Sequence, residues 1–286
     1  MKGQDQLELQ RTPASEKEPV PHNSSPKTIL LHVQDDESLD TRIENALSVA
    51  RACSAHVQCL HVTPIEAYVA FDTFGGIFVM NDVIKSLDEQ EAKLRTKVED
   101  KFQAEDVSWD YVQVTGNVAA QLIGRAALAD LLITTRAPHR SDFVGPTVSF
   151  LGDLICRSRT SLLIPVEDGP PCDPTGSALI AWDGSYEAAN AIRSSIALLG
   201  LSSSVHVLQI VDEEKTDVFP STQLLEYLSR HGVHAELSVL EAGVDVGDDE
   251  VISATIAARA KALRSAYLVM GGYNHSRLGE YIFGGV

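Results

Sequence analysis

The chain has 286 residues, 44% hydrophobic and 22% charged, a composition typical of globular domains. Its formal net charge of −17 argues against nucleic acids and anionic membrane surfaces as partners, because both are bound through clustered Lys and Arg. Four cysteines without C-x-x-C or zinc-finger spacing are typical of reduced thiols, and no apolar run is long enough for a secretion signal or a membrane helix, so we expect a cytoplasmic protein.

The first part of the chain alternates strands and helices. Residues 1–26 are polar and rich in Pro and Ser, which predicts a disordered tail. From Lys27 follow a short apolar strand, an acidic turn and an amphipathic helix with Ile43, Leu47 and Ala50 on one face. The stretches HVQCLHVTP, YVQVTGN, ADLLITT and TSLLIPV predict the other strands of a five-stranded unit.

An aromatic segment and a charged helix separate the second and third of these strands. The aromatic segment, FDTFGGIFVMNDV, contains Phe71, Phe74 and Phe78. These side chains form either a contact surface for the second half of the chain or a lid over their own domain. The charged segment 86–102 has apolar residues at helical spacing, and we expect it to cover the first sheet.

The second half of the chain repeats the pattern of the first. The matched pairs are Ile29 with Ala178, Val62 with Ile210, and Leu131 with Leu268. A repeat of alternating strands and helices predicts an α/β protein made of two similar doubly wound parallel-sheet domains. We expect the first domain at 27–167, a Pro- and Gly-rich linker at 168–175 and the second domain at 176–286.

The second half stops before a fifth strand. We expect a helix and a strand to follow Val286, and a partner chain that completes the sheet is the alternative.

Two glycine-containing loops of the second half are candidates for a binding site. They are AWDGS, after its first strand, and MGGYNHSRLGEYIFGGV, after its fourth. In doubly wound sheets, ligands bind outside the carboxyl ends of the strands where the strand order reverses, so these loops are expected to converge. Glycines there let backbone N–H groups approach phosphate oxygens.

These loops resemble those of the universal stress protein family in its tandem two-domain form. The resemblance is carried by VMGGYNHSRLGEYIFGGV, LIAWDGS and the helix SATIAARAKALRSA, and it extends over 27–286. It implies strand order 3-2-1-4-5 in each domain, with the last strand of the second domain missing from this sequence. It also implies homodimers formed through edge strands and a role in stress survival. Some members bind ATP through the pattern Gly-x2-Gly-x9-Gly-Ser/Thr, and others bind no nucleotide.

The ATP pattern is matched in part. Gly271 and Gly284 occupy its first and third glycine positions, whereas Asn274 stands at the second and Gly285 at the Ser/Thr position. Asn tolerates positive φ, and Gly285 keeps its N–H but has no hydroxyl. The residues that the resemblance places at an ATP or AMP site are Ala181, Trp182, Asp183, Ile210, Met270, Gly271, Asn274, His275, Arg277, Gly284, Gly285 and Val286.

Two of these residues have alternative roles. The resemblance turns Asp183 towards ribose and phosphates, where Mg²⁺ would bridge the charges. The alternative is that Asp183-Gly184-Ser185 turns the chain and caps a helix. Arg277 is either a phosphate contact or an exposed partner of Glu280.

The corresponding residues of the first half predict no nucleotide site. The replacements are Gln34 for Asp183, Thr134 for Gly271, and Asp153 for Gly285. A carboxylate at the mouth of the helix would repel phosphate.

Other functions fit the sequence less well. QDDES is similar to the acidic cluster of response-regulator receivers, but no phosphoacceptor Asp follows the third strand. His275 and Ser276 are adjacent but have no third catalytic partner, so we expect no enzyme; slow ATP hydrolysis ranks third among the functions. We expect a regulatory or protective protein with ATP or AMP as ligand. The rival is a nucleotide-free structural protein that acts through dimerisation.

Overall fold

A computed structural model describes residues 25–64, 77–135, 150–167, 169–211, 219–241 and 249–272. The predicted tail through residue 24 lies outside these ranges, as do Phe71, Phe74 and the side chain of Phe78. Within them, no helix is both long enough and apolar enough to span a bilayer.

Each half of the chain alternates strands and helices, as predicted. The first half contains β1 (Thr28–Val33), α1 (Leu39–Cys53), β2 (His56–Pro64), α2 (Ile77–Gln103), β3 (Trp109–Gly116), α3 (Val118–Ala126), β4 (Leu131–Ile133), α4 (Phe150–Arg157) and β5 (Ser161–Leu163). The second half contains β6 (Ser177–Trp182), α5 (Tyr186–Leu199), β7 (Ser204–Val211), α6 (Ser221–Arg230), β8 (Ala235–Glu241), α7 (Asp249–Ala262) and β9 (Tyr267–Val269).

The strands form two parallel sheets. The first has five strands in the order β3-β2-β1-β4-β5, and the described part of the second has four in the order β8-β7-β6-β9. The predicted α/β fold class and the predicted strand order are therefore confirmed, with the second sheet following the same order through its fourth strand.

Alternation along the strands produces a core on each face of each sheet. In β1, Ile29 and Leu31 pack with α1 and α2, whereas Leu30 packs on the other face with α3 and α4. Ile43 and Leu47 of α1 are buried, as the helical spacing predicts. Each fully buried aliphatic side chain of this kind contributes about 1.5–3 kcal/mol, so both faces stabilise the sheet.

The strand register corrects one predicted match between the halves. Ile29 pairs with Leu131, whereas its counterpart Ala178 pairs with Tyr267. Leu131 therefore corresponds to Tyr267, one residue before the predicted Leu268. It follows that Gly271 corresponds to Thr135 and not to Thr134.

The two halves are packed against each other. Leu198, near the end of α5, and Leu201 contact the core of the first half. In the linker, the backbone N–H of Cys172 donates to Asn45 Oδ1 at 2.9 Å, and its carbonyl accepts from Ser48 Oγ at 2.7 Å. A buried surface and paired backbone groups hold α1 to the segment that leads into β6.

A buried arginine side chain lies at the carboxyl ends of β1 and β4 in the first half. Arg42 is 1% exposed, and its guanidinium donates to the carbonyls of His32 and Gln34 at 2.9 and 2.8 Å. It also donates to Thr135 Oγ1 at 2.6 Å and pairs with Asp36 at 2.9 Å. Burial lowers the Arg42 pKa, an effect that the Asp36 carboxylate opposes. A buried cation is tolerated here because its N–H groups are hydrogen-bonded.

A histidine lies beside this arginine on the other face of the sheet. The Nδ1 of His32 is 3.0 Å from Thr134 Oγ1, and the imidazole contacts the Phe150 ring with centroids 5.7 Å apart. Burial, followed by the charges of Arg42 and His61, lowers the pKa of His32 to about 3. His32 is therefore neutral in the folded protein at neutral pH.

We expect Arg42→Met to destabilise the first domain by about 3–5 kcal/mol, because the Asp36 carboxylate and two carbonyls lose their buried donor. Urea unfolding followed by Trp109 fluorescence in a Trp182→Phe background measures this change. Arg51→Met is the control, since Arg51 forms an exposed ion pair with Glu105, and its loss costs at most about 1 kcal/mol. Equal losses in the two variants would contradict a supporting role for the buried cation.

We expect His32→Gln to flatten the acid side of the stability curve. Below pH 6.5, the ordinary pKa of histidine, the unfolded chain binds a proton that folded His32 does not take up until about pH 3. The wild type therefore loses about 1.4 kcal/mol per pH unit through this group as the pH falls, and the variant does not. Urea unfolding at pH 7.5, 6.5 and 5.5 compares the two proteins. Parallel curves would contradict a neutral, buried His32.

Candidate functional site

The loops after β6 and β9 meet at the carboxyl ends of the second sheet. β6 pairs with β7 on one side and with β9 on the other, so the strand order reverses at this point. A Cβ atom placed on Gly271 would lie 2.7 Å from the amide nitrogen of Ala188, in the first turn of α5. The backbone after β9 thus lies directly on the helix that follows β6, and it does so because residue 271 has no side chain.

Asp183 is part of a formed turn. Its Oδ1 accepts from the Ser185 backbone N–H at 3.0 Å and from the Ser185 hydroxyl at 2.6 Å. Ser185 Oγ in turn accepts from the Ala188 N–H at 3.1 Å and caps α5, while Gly184 has a φ of 72°. The turn-and-cap role that the sequence offered as one alternative is therefore formed. The exposed Asp183 carboxylate is held at the mouth between the two loops.

The residues at the ends of β6 and β7 lie on two faces. Ala181 and Ile210 are partly buried on the face that α7 covers. Trp182 is 4% exposed and packs on the opposite face, with α5 and α6. Its Nε1 has no hydrogen-bond partner among the described residues. The structure thus brings Ala181 and Ile210 together and directs Trp182 into the core, because successive strand residues point to opposite faces.

The remaining predicted site residues lie on either side of Gly272, where the last described range ends. Met270 and Gly271 directly follow β9 and are partly buried. The other predicted residues lie outside the described part of the chain, namely Asn274, His275, Arg277, Gly284, Gly285 and Val286. In the described ranges, no group of three or more His, Cys, Asp or Glu residues is arranged to hold a metal ion.

Gly272 is a further candidate residue, which was not among the site residues predicted from the sequence. A Cβ atom placed on it would lie 2.5 Å from Cγ2 of Ile155, a residue of α4 in the first half. In the sequence, Gly272 can be recognised as the second residue of a Gly-Gly pair. Its partner could not be read from the sequence, because the contact joins positions in different halves of the chain.

Equivalent positions of the two sheets carry side chains of very different size. The strand register matches His32 with Ala181 and Thr135 with Gly271. The same spacing along the chain, which also aligns the buried Ile43 with the buried Ile192, matches Arg42 with Ala191. In the first half, the arginine and histidine side chains occupy the carboxyl ends of the central strands. In the second half, the same positions have alanine and glycine, so the backbone there is lined by short side chains.

The acidic residue predicted at the mouth of a helix in the first half lies at a helix start. Asp153 lies in the first turn of α4, where its carboxylate is 3.7 Å from Arg157. Its predicted counterpart, Gly285, is not among the described residues. The match between these two positions stays a prediction.

Comparison with known proteins identifies the fold. No protein-family model matches the chain, and no curated protein matches it in sequence. A universal stress protein from Archaeoglobus fulgidus DSM 4304 has a TM-score of 0.68 and 13% identity, and the match covers 92% of this chain and 91% of that one.

Two further structures match the chain over a similar length. A candidate universal stress protein from Pseudomonas aeruginosa UCBPP-PA14 has a TM-score of 0.50 and 16% identity, with 92% of this chain and 88% of that one covered. A functionally unknown protein from Pseudomonas aeruginosa PAO1 has the same TM-score and identity, with 92% and 87% covered. The resemblance indicated by the sequence is thus confirmed at the level of the fold. The chain has the universal stress protein fold, built from two parallel-sheet α/β domains in succession.

Proposed function

We propose that this chain is a stress-response protein of the universal stress type whose second domain binds ATP or AMP as a regulatory ligand. The shared fold supports the general role, and the meeting of the loops after β6 and β9 supports the position of the ligand. A cytoplasmic location and self-association belong to the same proposal.

The observation that carries the proposal is the contrast between the two domains at one position of the fold. In the first domain, the Arg42 guanidinium is hydrogen-bonded to the carbonyls of His32 and Gln34 and to the Asp36 carboxylate. In the second domain, the residue at the same spacing along the chain is Ala191. The described part of the second domain thus has a short side chain at this position and, close by in sequence, the exposed carboxylate of Asp183. A ligand with its own cation, such as Mg-nucleotide, matches that arrangement.

The described residues suggest how a nucleotide would lie. Ala181, Ile210 and Met270 supply apolar surface for an adenine ring. Gly271 allows close approach of the backbone, and the Asp183 carboxylate would face Mg²⁺ bound to the phosphates. Asn274, Arg277 and Gly285 belong to the proposed phosphate side through the sequence pattern alone. We assign the nucleotide the role of a ligand and not of a substrate, because no general base or nucleophile is assigned beside it.

One observation favours a second candidate, a nucleotide-free structural protein. Asp183 already accepts two hydrogen bonds from Ser185, so the turn at the mouth is complete within the chain. In that role the glycines would serve the packing of the loops, and the protein would act through contacts with other chains.

We expect purified protein to release about one ATP or AMP per chain when it is denatured, or to bind Mg-ATP with measurable affinity after exchange. Chromatography of the released small molecules and isothermal titration provide the two measurements. We expect one site per chain and not two, because the side chains of Arg42 and His32 occupy the corresponding place in the first domain. Absence of both released and added nucleotide would favour the structural role.

We expect Asp183→Asn to weaken Mg-nucleotide binding about tenfold, which corresponds to about 1.4 kcal/mol, with little change in Tm. Asn keeps the side-chain oxygen that accepts from Ser185 but removes the charge that would face Mg²⁺. Asp183→Ala removes both, so it should also lower stability by about 1 kcal/mol.

Titration with Mg-ATP and thermal unfolding separate these effects. Gln34→Asn, at the corresponding position of the first domain, is the matched control and should leave the affinity unchanged. An unaltered affinity in Asp183→Asn would remove Asp183 from the proposed site.

A further inference from the structure

Two consecutive glycines after β9 lie on helices from different domains. Gly271 lies against the backbone of α5 in its own domain, where an added Cβ would be 2.7 Å from Ala188 N. Gly272 lies against α4 of the first domain, where an added Cβ would be 2.5 Å from Ile155 Cγ2. The start of the candidate binding loop is therefore enclosed by one helix of each domain.

The helix that carries Ile155 is firmly anchored in the first domain. Leu151 and Leu154 of α4 are buried, and Phe150 at its start contacts the imidazole of His32. Close packing of these buried side chains holds the helix to the first domain. The side chain of Ile155 thus presents a fixed surface to Gly272.

Other residues of the second domain also pack against the first domain. Leu198 and Leu201 of the second half pack on the first core, where Leu163 of β5 also packs. The contact between Gly272 and Ile155 is thus one part of a wider packed boundary between the domains.

We propose that the first domain forms one wall of the second domain's nucleotide site, with Ile155 acting as the positioning residue for the Gly271–Gly272 turn. The proposal rests on the nucleotide site proposed above and adds its regulation. Because the turn contacts both domains, a ligand that orders the turn also favours one arrangement of the domains. The coupling is reciprocal: the factor by which the ligand favours that arrangement of the domains is the factor by which the arrangement raises the affinity for the ligand.

A double-mutant cycle tests this contact in the full chain. Gly272→Ala introduces the Cβ that approaches Ile155 Cγ2, and the φ of Gly272 lies outside the left-handed region, so alanine adds no backbone strain there. We expect this variant to lower the Tm by about 3 °C and to weaken Mg-ATP binding about tenfold. In Gly272→Ala with Ile155→Ala, the nearest remaining Ile155 atom, Cβ, is 3.8 Å away, so both losses should be largely reversed.

Two matched variants separate this contact from general loosening of the interface. Ile155→Val keeps the Cγ2 branch and should not rescue Gly272→Ala. Gly271→Ala approaches the backbone of Ala188 and Glu187, so Ile155→Ala should not rescue that variant.

The two readouts distinguish failure of the proposal from failure of the nucleotide site. Rescue of both Tm and affinity by Ile155→Ala, and not by Ile155→Val, supports the proposal. Rescue of Tm alone in a protein that binds nucleotide would overturn the control of the site by the first domain. Lack of rescue in Tm would overturn the contact itself. A wild type that binds no nucleotide would overturn the proposed function, and with it the regulatory role of Ile155.

Discussion

The parallel pairing of one central strand with two neighbours is the constraint on which the rest of this structure depends. β1 lies between β2 and β4, and β6 lies between β7 and β9. The chain leaves the central strand in one direction and returns on its other side, so the loops at the carboxyl ends are separated by a gap at this point. Strand-end carbonyls and the first turns of helices converge there, and they need polar partners.

The two domains meet this requirement differently. The first uses Arg42, a buried cation with Asp36 as its counter-ion, and adds His32 on the opposite face. A buried ion pair adds little net stability relative to apolar packing. Removal of only one of its two partners is strongly destabilising, because the other charge stays buried without a counter-ion. The carboxyl ends of the central strands in the first domain are therefore filled by side chains of the domain itself, an arrangement that we call closed. The second domain has the same strand order through its fourth strand, with alanine and glycine at the corresponding positions, so one fold surrounds different side chains in the two domains.

The boundary between the domains brings the first domain against the loop after β9 of the second. The closed domain presents α4 as a firm surface, and the glycines after β9 of the other domain lie against it. A rigid domain beside a loop of short side chains can position that loop without contributing to binding directly.

The sequence by itself determined the order of elements, the internal repeat, the α/β class and the buried face of α1, because hydrophobic periodicity and turn residues report local structure and burial directly. It did not determine the match of β4 to β9. Both strands are short apolar runs, LLI and YLV, and such runs have no alternation from which a one-residue shift could be detected.

Only the tertiary structure decided which side chains lie at the carboxyl ends of each sheet. Nothing in the residues around Arg42 indicates that its guanidinium reaches Thr135, far along the chain. Likewise, the contact of Gly272 with Ile155 depends on how two separately predicted domains pack. Such contacts are set by the packing of elements distant in sequence, so only the assembled chain determined them.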